Sequence, residues 1–291
     1  MKELRGIFTA LLTPYDEQNK VNLKALEDLV KFNLKMGVTG FYVCGSTAEA
    51  FMLSTEERKA IMEVVKSTAP DSTLIAHIGS LDERVSIELA KHAKALSYDL
   101  VSSVAPFYFK YSFDEIKNYY CRLSAAADLP MLVYHFPDFS GVKMGVKEIA
   151  AFLEDDRFAG IKYTCGDFYI MERSKARFPN KVFYNGFDEM LLAGLTMGAD
   201  GAIGSTYNFM ADKYIQLVDH FKKNEIAEAQ KIQHVANAIV EKMCQYGVMP
   251  CEKAILDAFG IPMGDCRDPF KKLTAEEKKD LLDFVLPLLK A

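Results

Sequence analysis

Eight short apolar segments recur along the chain, and each is followed by a longer stretch whose apolar residues return every three or four positions. This alternation of strand and helix periodicities predicts parallel strands joined by right-handed helical crossovers. Eight such units favour closure into a (β/α)8 TIM barrel, an α/β fold whose usual length range includes these 291 residues. The eight segments are GIFTALLT (6–13), GFYVCG (40–45), TLIAHIG (73–79), LVSSVAP (100–106), PMLVYHFP (130–137), FAGIKYT (158–164), KVFYNG (181–186) and GAIGST (201–206).

The main competing architecture is a doubly wound open sheet. That fold would be favoured by a GxGxxG turn or a P-loop after an early strand, and the sequence contains neither. Four further helical patterns follow the eighth segment, and no Gly- or Ser-rich linker divides the chain. We therefore predict a barrel over residues 1–222 and a C-terminal helical extension over 223–291 that packs on it in a single structural unit.

Charge and cysteine usage exclude several function classes. The formal net charge is −5 and the basic residues are scattered, which argues against a nucleic-acid surface. No apolar run reaches the ~18 residues of a membrane span, and we recognise no signal peptide, so we expect a cytoplasmic protein without membrane contact. The six cysteines form no CxxC pair and have no histidine at ligand spacing, so we expect no metal site.

One lysine interrupts the sixth apolar segment. In a closed barrel both strand faces are buried, so a charged side chain is expected to point inward near the open rim. Gly160, Lys162 and Thr164 share one small, polar face, which suits a lumen that holds a substrate. A lysine attacks a carbonyl only as the neutral amine, which burial favours. Lys162 is thus a candidate Schiff-base nucleophile; the alternative is a lysine that reaches solvent from a strand end.

A tyrosine in the fifth segment is expected at a similar height. Tyr134 alternates with Leu132 and Phe136, and it would face the lumen beside Lys162, where its hydroxyl could shuttle a proton. The alternative is a core tyrosine bonded to backbone. His135 falls on the opposite face, and we expect it to face the helices rather than the lumen.

The loop after the second segment, CGSTAEA, offers hydroxyl and backbone N–H donors at the start of a helix. Ser46 and Thr47 could bind a carboxylate or a phosphate there. The alternative is an ordinary turn, because Ser54 and Glu57 already match a helix capping box.

Two acidic residues follow the seventh segment, where many barrels bind phosphate. Asp188 and Glu189 at the mouth would repel a phosphate dianion but could accept hydrogen bonds from the hydroxyl groups of a polyol. This favours an unphosphorylated sugar derivative; the alternative is a pair of solvated acids that cap the next helix.

Together these stretches resemble the N-acetylneuraminate lyase and dihydrodipicolinate synthase family of class I aldolases. The resemblance runs from FTALLTP to GADGAIGSTYNFM, with GSTAE, VYHFP, GIKYT and YNGFDE in matching order and spacing. It implies a homotetrameric TIM-barrel enzyme that needs no cofactor, because the lysine itself activates the substrate as a Schiff base.

The resemblance also implies a role for each matching residue. Lys162 matches the Schiff-base lysine, Tyr134 the catalytic tyrosine, and Ser46 and Thr47 the pair that binds the carboxylate of the pyruvate moiety, with Ser46 assisting proton transfer. Tyr108, in APFYF, resembles a tyrosine that a neighbouring subunit contributes to this relay. The residues matching those that hold the sugar-derived chain are Thr164, Gly186, Asp188, Glu189 and Ser205.

KYTCGDFY and YNGFDE further resemble the lyase branch, which implies reversible cleavage of N-acetylneuraminate to N-acetylmannosamine and pyruvate. Rival interpretations are a sister aldolase for another 2-keto-3-deoxy sugar acid, the synthase itself, and a non-catalytic sensor. The synthase branch usually carries an arginine near Phe139, and its absence argues against that branch. The family usually has glycine at Ala48, so this loop would be strained if that position required a positive φ.

Overall fold

The computed structural model describes residues 2–290, in which eight parallel strands close into one barrel in the order β1 to β8. Every strand lies within its predicted segment, so the predicted TIM barrel is confirmed. The strands are β1 (Gly6–Ala10), β2 (Gly40–Val43), β3 (Thr73–His77), β4 (Leu100–Val104), β5 (Met131–His135), β6 (Phe158–Tyr163), β7 (Val182–Asn185) and β8 (Gly201–Gly204).

Helices cover the outer face of the barrel and build the extension. Those between the strands are α1 (Leu23–Met36), α2 (Thr55–Thr68), α3 (Glu83–Ala95), α4 (Phe113–Ala127), α5 (Pro137–Ser140), α6 (Val146–Leu153), α7 (Phe168–Arg177) and α8 (Leu191–Thr196). After β8 come α9 (Tyr207–Lys222), α10 (Ile226–Cys244), α11 (Val248–Ala258) and α12 (Ala275–Lys290). Short 3-10 turns occupy Ser46–Ala48, Ala50–Met52 and Asp188–Met190.

The alternation of side chains along each strand divides the buried residues into two layers. Residues such as Phe41 and Val133 pack outward against the helices, whereas Tyr42, Leu132 and Tyr134 form the inner layer. The inner layer is therefore the lumen in which a charged side chain had been predicted.

A buried ion pair joins the extension to the loop after β2. The Lys253 amine on α11 donates to the Glu49 carboxylate at 2.8 Å, and the two side chains are 1% and 0% exposed. Glu49 also accepts the backbone N–H of Arg267 at 2.8 Å, and the Lys253 amine lies 4.3 Å from the centre of the Tyr15 ring. We propose from these contacts that barrel and extension form a single structural unit; its predicted ends at residues 1 and 291 lie outside the described residues.

Replacement of Lys253 by alanine is expected to lower the free energy of unfolding by about 3–5 kcal/mol, because it leaves the Glu49 carboxylate buried without its cation. Lys231→Ala is the matched control, since its pair with Glu228 is exposed and screened by solvent, and its loss should leave the stability nearly unchanged. Urea unfolding, followed by two independent probes, measures the free energy of unfolding of both variants. An equally small effect for the two variants would contradict the role of the ion pair, and separate transitions for the two parts would contradict the single unit.

Candidate active site

A cavity of about 430 Å³ opens at the carboxyl ends of the barrel strands. The strands end there in loops that carry most of the polar residues selected from the sequence. Nine of the ten predicted site residues line this one cavity: Ser46, Thr47, Tyr134, Lys162, Thr164, Gly186, Asp188, Glu189 and Ser205.

Lys162 and Tyr134 are direct neighbours in the register of β5 and β6. The lysine side chain is only 4% exposed, and its Nζ lies 4.1 Å from the ring centre of Tyr134 and 4.4 Å from that of Tyr42. The Tyr42 hydroxyl donates to Ser102 at 3.0 Å, which fixes that ring below the amine. The amine is thus held on two aromatic faces at the floor of the cavity, rather than reaching solvent.

The loop after β2 folds as a short turn that presents Ser46 and Thr47 to the cavity. Left-handed backbone occurs at Cys44 (φ 60°) and Glu49 (φ 58°), and Ala48 lies between them in the 3-10 turn. The strain considered for Ala48 therefore does not arise, because this loop places its positive φ one residue later.

The capping box at the start of α2 is also present. The Ser54 hydroxyl accepts the N–H of Glu57 at 3.1 Å, and the Glu57 carboxylate accepts the N–H of Ser54 at 2.8 Å. The helix is therefore capped by residues other than Ser46 and Thr47. The capping box is thus confirmed, and carboxylate binding by Ser46 and Thr47 stays a prediction.

A histidine that the sequence analysis did not select supports this loop. His77 stands at the end of β3, with Nδ1 2.9 Å from the carbonyl oxygen of Cys44, while its Nε2 accepts the N–H of Val104 at 3.2 Å. Burial, with a contribution from the Arg58 charge, holds the pKa of His77 well below its usual range, so the ring is neutral. His77 follows Ile75 by two residues and so shares the inward face of β3. This spacing was the signal from which its position beside the lumen could have been predicted.

His135 lies on the outer face of β5, as predicted. Its ring packs 5.2 Å from that of Tyr163, and burial lowers its pKa to about 4. It is therefore a neutral core residue outside the cavity.

Asp188 differs from the solvated rim acid considered in the sequence analysis. It is buried, and its Oδ2 accepts the backbone N–H of Thr206 at 2.8 Å and the Thr206 hydroxyl at 2.7 Å. Oδ1 has no hydrogen-bond partner in the described part of the chain. Burial raises the pKa of Asp188 to about 6 although both bonds from Thr206 oppose this. Glu189, by contrast, is half-buried on the cavity wall.

Thr164 and Gly186 lie in close contact in the wall of the cavity. The Thr164 hydroxyl is buried without a hydrogen-bond partner among residues 2–290. A Cβ on Gly186 would lie 1.9 Å from that oxygen, so only glycine leaves room above it. The pair thus keeps an unsatisfied hydroxyl buried in the wall of the cavity.

The extension supplies one wall of the cavity, which the sequence analysis did not predict. Val248, Met249 and Pro250 at the start of α11 face the barrel mouth, together with Phe270. Phe139, at the position where the synthase branch usually has arginine, also lines this wall. No local motif marks such residues, because they reach the site only through packing of the extension.

Tyr108 is the one predicted residue outside the cavity. It is 86% exposed, with a left-handed φ of 81°, and its ring packs 5.0 Å from that of Phe109. A single chain therefore does not bring Tyr108 to Lys162.

The described residues provide neither a metal-binding cluster nor a membrane-spanning helix. No group of three or more His, Cys, Asp or Glu side chains among residues 2–290 is arranged to hold a metal ion. Nor does that part of the chain contain a helix whose length and apolar character would let it cross a membrane.

A model of the Dihydrodipicolinate synthetase family matches residues 3–286. The chain belongs to this family. The N-acetylneuraminate lyase of Haemophilus influenzae is 42% identical over 280 residues, which cover 96% of each chain. The family resemblance of the GSTAE, VYHFP, GIKYT and YNGFDE motifs is thereby confirmed.

Solved structures of relatives agree with the fold of this family member. CdNal from Clostridium difficile in complex with mannosamine superposes with a TM-score of 0.96 at 37% identity, covering 99% of this chain and 100% of that one. The N-acetylneuraminate lyase from Fusobacterium nucleatum complexed with pyruvate gives 0.92 at 40% identity, covering 97% of each chain.

Asp188→Asn tests the buried state of this acid. Because folding raises its pKa from 3.8 to about 6, the folded protein binds more protons than the unfolded chain between these values. The wild type should therefore lose stability relative to the asparagine variant as pH rises from ~4 to ~6, by up to roughly 3 kcal/mol. Denaturation midpoints across this range measure it, with the exposed Asp283→Asn as control. A constant difference between wild type and Asp188→Asn would contradict the raised pKa of Asp188.

Proposed function

We propose that the chain is an N-acetylneuraminate lyase, a carbon–carbon lyase that reversibly cleaves N-acetylneuraminate to N-acetylmannosamine and pyruvate. The observation that carries this proposal is the buried Lys162 beside Tyr134, at the floor of a cavity with hydroxyl donors on one side and acids on the other. Relatives and structural neighbours that bear this name, or are complexed with pyruvate, support the same reaction and substrate.

The end of the cavity near β2 suits the carboxylate of the pyruvate moiety. Ser46 and Thr47 would bind it through their hydroxyl groups and the backbone N–H groups of the turn. This anchor would place the adjacent C2 carbonyl over the Lys162 amine, so that binding energy is used to orient the reacting atoms.

Lys162 would act as the nucleophile. Its neutral amine attacks C2, the carbinolamine loses water, and a protonated imine forms between Nζ and C2. This cation would occupy the place of the amine on the faces of Tyr42 and Tyr134, which attract positive charge. The covalent imine itself is the electron sink, so we propose a reaction without metal or organic cofactor.

Tyr134 would be the proton carrier. Tyr134 first gives its own proton to the hydroxyl that leaves the carbinolamine as water. The resulting Tyr134 oxygen anion then takes the proton of the C4 hydroxyl, the C3–C4 bond breaks, and the electron pair of that bond forms the enamine of pyruvate. The C4 oxygen becomes the aldehyde of N-acetylmannosamine. Tyr134 then returns the proton to C3, water hydrolyses the imine, and pyruvate leaves with the Lys162 amine restored. Ser46 would assist these proton transfers.

The other end of the cavity suits the sugar-derived chain. Thr164, Asp188, Glu189 and Ser205 would hydrogen-bond its hydroxyl groups, and Gly186 leaves the space for it. A second-substrate carboxylate, as the synthase requires, would instead meet Phe139 and the apolar wall from α11. This arrangement favours lyase over synthase chemistry.

We further propose a homotetramer located in the cytoplasm. Tyr108 and Phe109 are exposed large aromatic side chains, which is typical of a surface that a neighbouring subunit covers. Tyr108 would then complete the relay near Tyr134 of another subunit. The free thiols of the six cysteines fit a reducing compartment, and scattered basic residues argue against nucleic-acid or membrane partners.

Borohydride trapping with pyruvate tests the nucleophile. Intact-mass and peptide analysis should locate the adduct on Lys162, and Lys162→Ala should lose both the adduct and roughly a thousandfold or more in turnover. Tyr134→Phe should still form the adduct but cleave N-acetylneuraminate about 10²–10⁴-fold more slowly. Exposed Lys35→Ala is the control. An adduct on another lysine would refute the mechanism, and an adduct with cleavage only of other 2-keto-3-deoxy sugar acids would indicate the sister aldolase.

Mixing two inactive variants tests the contribution of Tyr108 from a neighbour. Lys162→Ala and Tyr108→Ala homo-oligomers should each have low activity. Co-expression should restore activity, because a subunit with intact Lys162 can receive Tyr108 from its partner. Recovery of a substantial fraction of wild-type turnover in the purified hetero-oligomer, with mixed unassembled controls inactive, is expected. Tyr108→Ala with full activity and unchanged mass in solution would contradict both roles.

A further inference from the structure

One carboxyl group behind the sugar end of the cavity has no role in the reaction above. Glu252 lies on α11 with no exposed surface, and neither of its carboxyl oxygens has a hydrogen-bond partner in residues 2–290. Burial of a carboxyl group without partners is strongly unfavourable, and it therefore calls for a physical explanation.

The neighbours of Glu252 connect it to the cavity. The Ser205 hydroxyl approaches its carboxyl from the loop after β8, without completing a hydrogen bond of normal geometry. Asp188, Tyr214 of α9, and the thiols of Cys251 and Cys266 are the other titratable groups near it. The adjacent Lys253 is bound to Glu49, so these neighbours include no cation.

Two further buried oxygen atoms close to Ser205 also lack hydrogen-bond partners among the described residues. Asp188 Oδ1 and the Tyr207 hydroxyl are buried without partners among the described residues. A Cβ on Gly204 would lie 1.6 Å from Asp188 Oδ1, so this atom borders the backbone just before Ser205. Several buried polar atoms around one short segment are typical of a hydrogen-bond network completed by ordered water or ligand.

We propose that Glu252 is a positioning residue which, as a neutral carboxylic acid, orients the Ser205 hydroxyl toward the sugar-derived part of the substrate. The role rests on the proposed function. A serine hydroxyl rotates freely unless a partner fixes it, and a neutral carboxyl offers one donor and one acceptor for this purpose. Ser205 itself lines the cavity, whereas Glu252 lies behind it.

Electrostatics are consistent with the neutral form. Burial raises the pKa of Glu252 to about 8, the nearby Asp188 charge adds to this, and the Ser205 hydroxyl opposes it. At neutral pH the carboxyl is therefore mostly protonated and able to donate.

This role is specific to one half of the substrate. Ser205 belongs to the sugar end, whereas the pyruvate carboxylate would bind at Ser46 and Thr47. Loss of Glu252 should therefore raise the KM for N-acetylneuraminate and N-acetylmannosamine, while trapping of pyruvate on Lys162 stays unchanged.

The experiment compares Glu252→Leu, Glu252→Gln, Ser205→Ala and the double variant Glu252→Leu/Ser205→Ala. Loss of one oriented hydrogen bond should raise the KM for the sugar acid about tenfold in the leucine and alanine variants. Glutamine, which is neutral and keeps a donor and an acceptor, should stay within about twofold of wild type. The double variant should be no worse than either single variant, because both remove the same interaction.

Three results would overturn the proposal: a wild-type KM in Glu252→Leu, multiplied effects in the double variant, or a glutamine variant as impaired as the leucine one. If Glu252→Leu does not fold, the pH profile decides. The KM of the wild type for the sugar acid should rise above pH ~8, where Glu252 ionises, and that of Glu252→Gln should not. Equal profiles would refute the role.

The unmutated protein separates this proposal from the proposed function. If it forms no pyruvate adduct and cleaves no N-acetylneuraminate, the proposed lyase activity is refuted, and so is the role of Glu252. If it does both and the variants behave otherwise than expected, only the role of Glu252 is refuted.

Discussion

The parallel register between β5 and β6, which sets Tyr134 beside Lys162, is the constraint on which the rest of the site depends. The closed barrel buries both faces of its strands. A slip of β6 by one residue would therefore turn the lysine side chain toward the helices and bury its charge without access to solvent. With this register the lysine reaches the single open end of the lumen. Under the proposed mechanism, the loops after the other strands then need only supply groups that bind the substrate of this lysine.

One helix of the extension supports both ends of the cavity. Neighbouring residues of α11 point to opposite sides, with Lys253 bound to Glu49 in the loop of Ser46 and Thr47, and Glu252 behind Ser205. The same helix contributes Met249 to the wall. A shift of α11 would therefore disturb the loop of Ser46 and Thr47 and the surroundings of Ser205 together.

Sequence periodicity predicted the strands, the inward positions of Lys162 and Tyr134 and the outward position of His135. These features were predictable because the alternation of side chains along a strand depends on the local sequence alone. The buried state of Asp188 was not predictable, since Thr206, which binds it, lies 18 residues away. The pair of Glu49 and Lys253 spans 204 residues and leaves no local pattern. The conformation of Ala48 depends on where the loop places its left-handed residue, which its composition alone does not determine.

The surroundings of Asp188 and Glu252 give these two carboxyl groups different protonation states. Asp188 receives two hydrogen bonds from Thr206, which favour its anion, and its pKa of about 6 leaves it mostly charged at neutral pH. Glu252 lacks such bonds and, with a pKa of about 8, keeps its proton. Two carboxyl groups whose pKa values in water are similar thus differ in protonation in the folded protein, and under the proposed role of Glu252 they act as an acceptor and a donor on either side of Ser205. A polyol, whose hydroxyl groups both donate and accept, would then meet the Asp188 side of this arrangement directly and Glu252 only through the Ser205 hydroxyl.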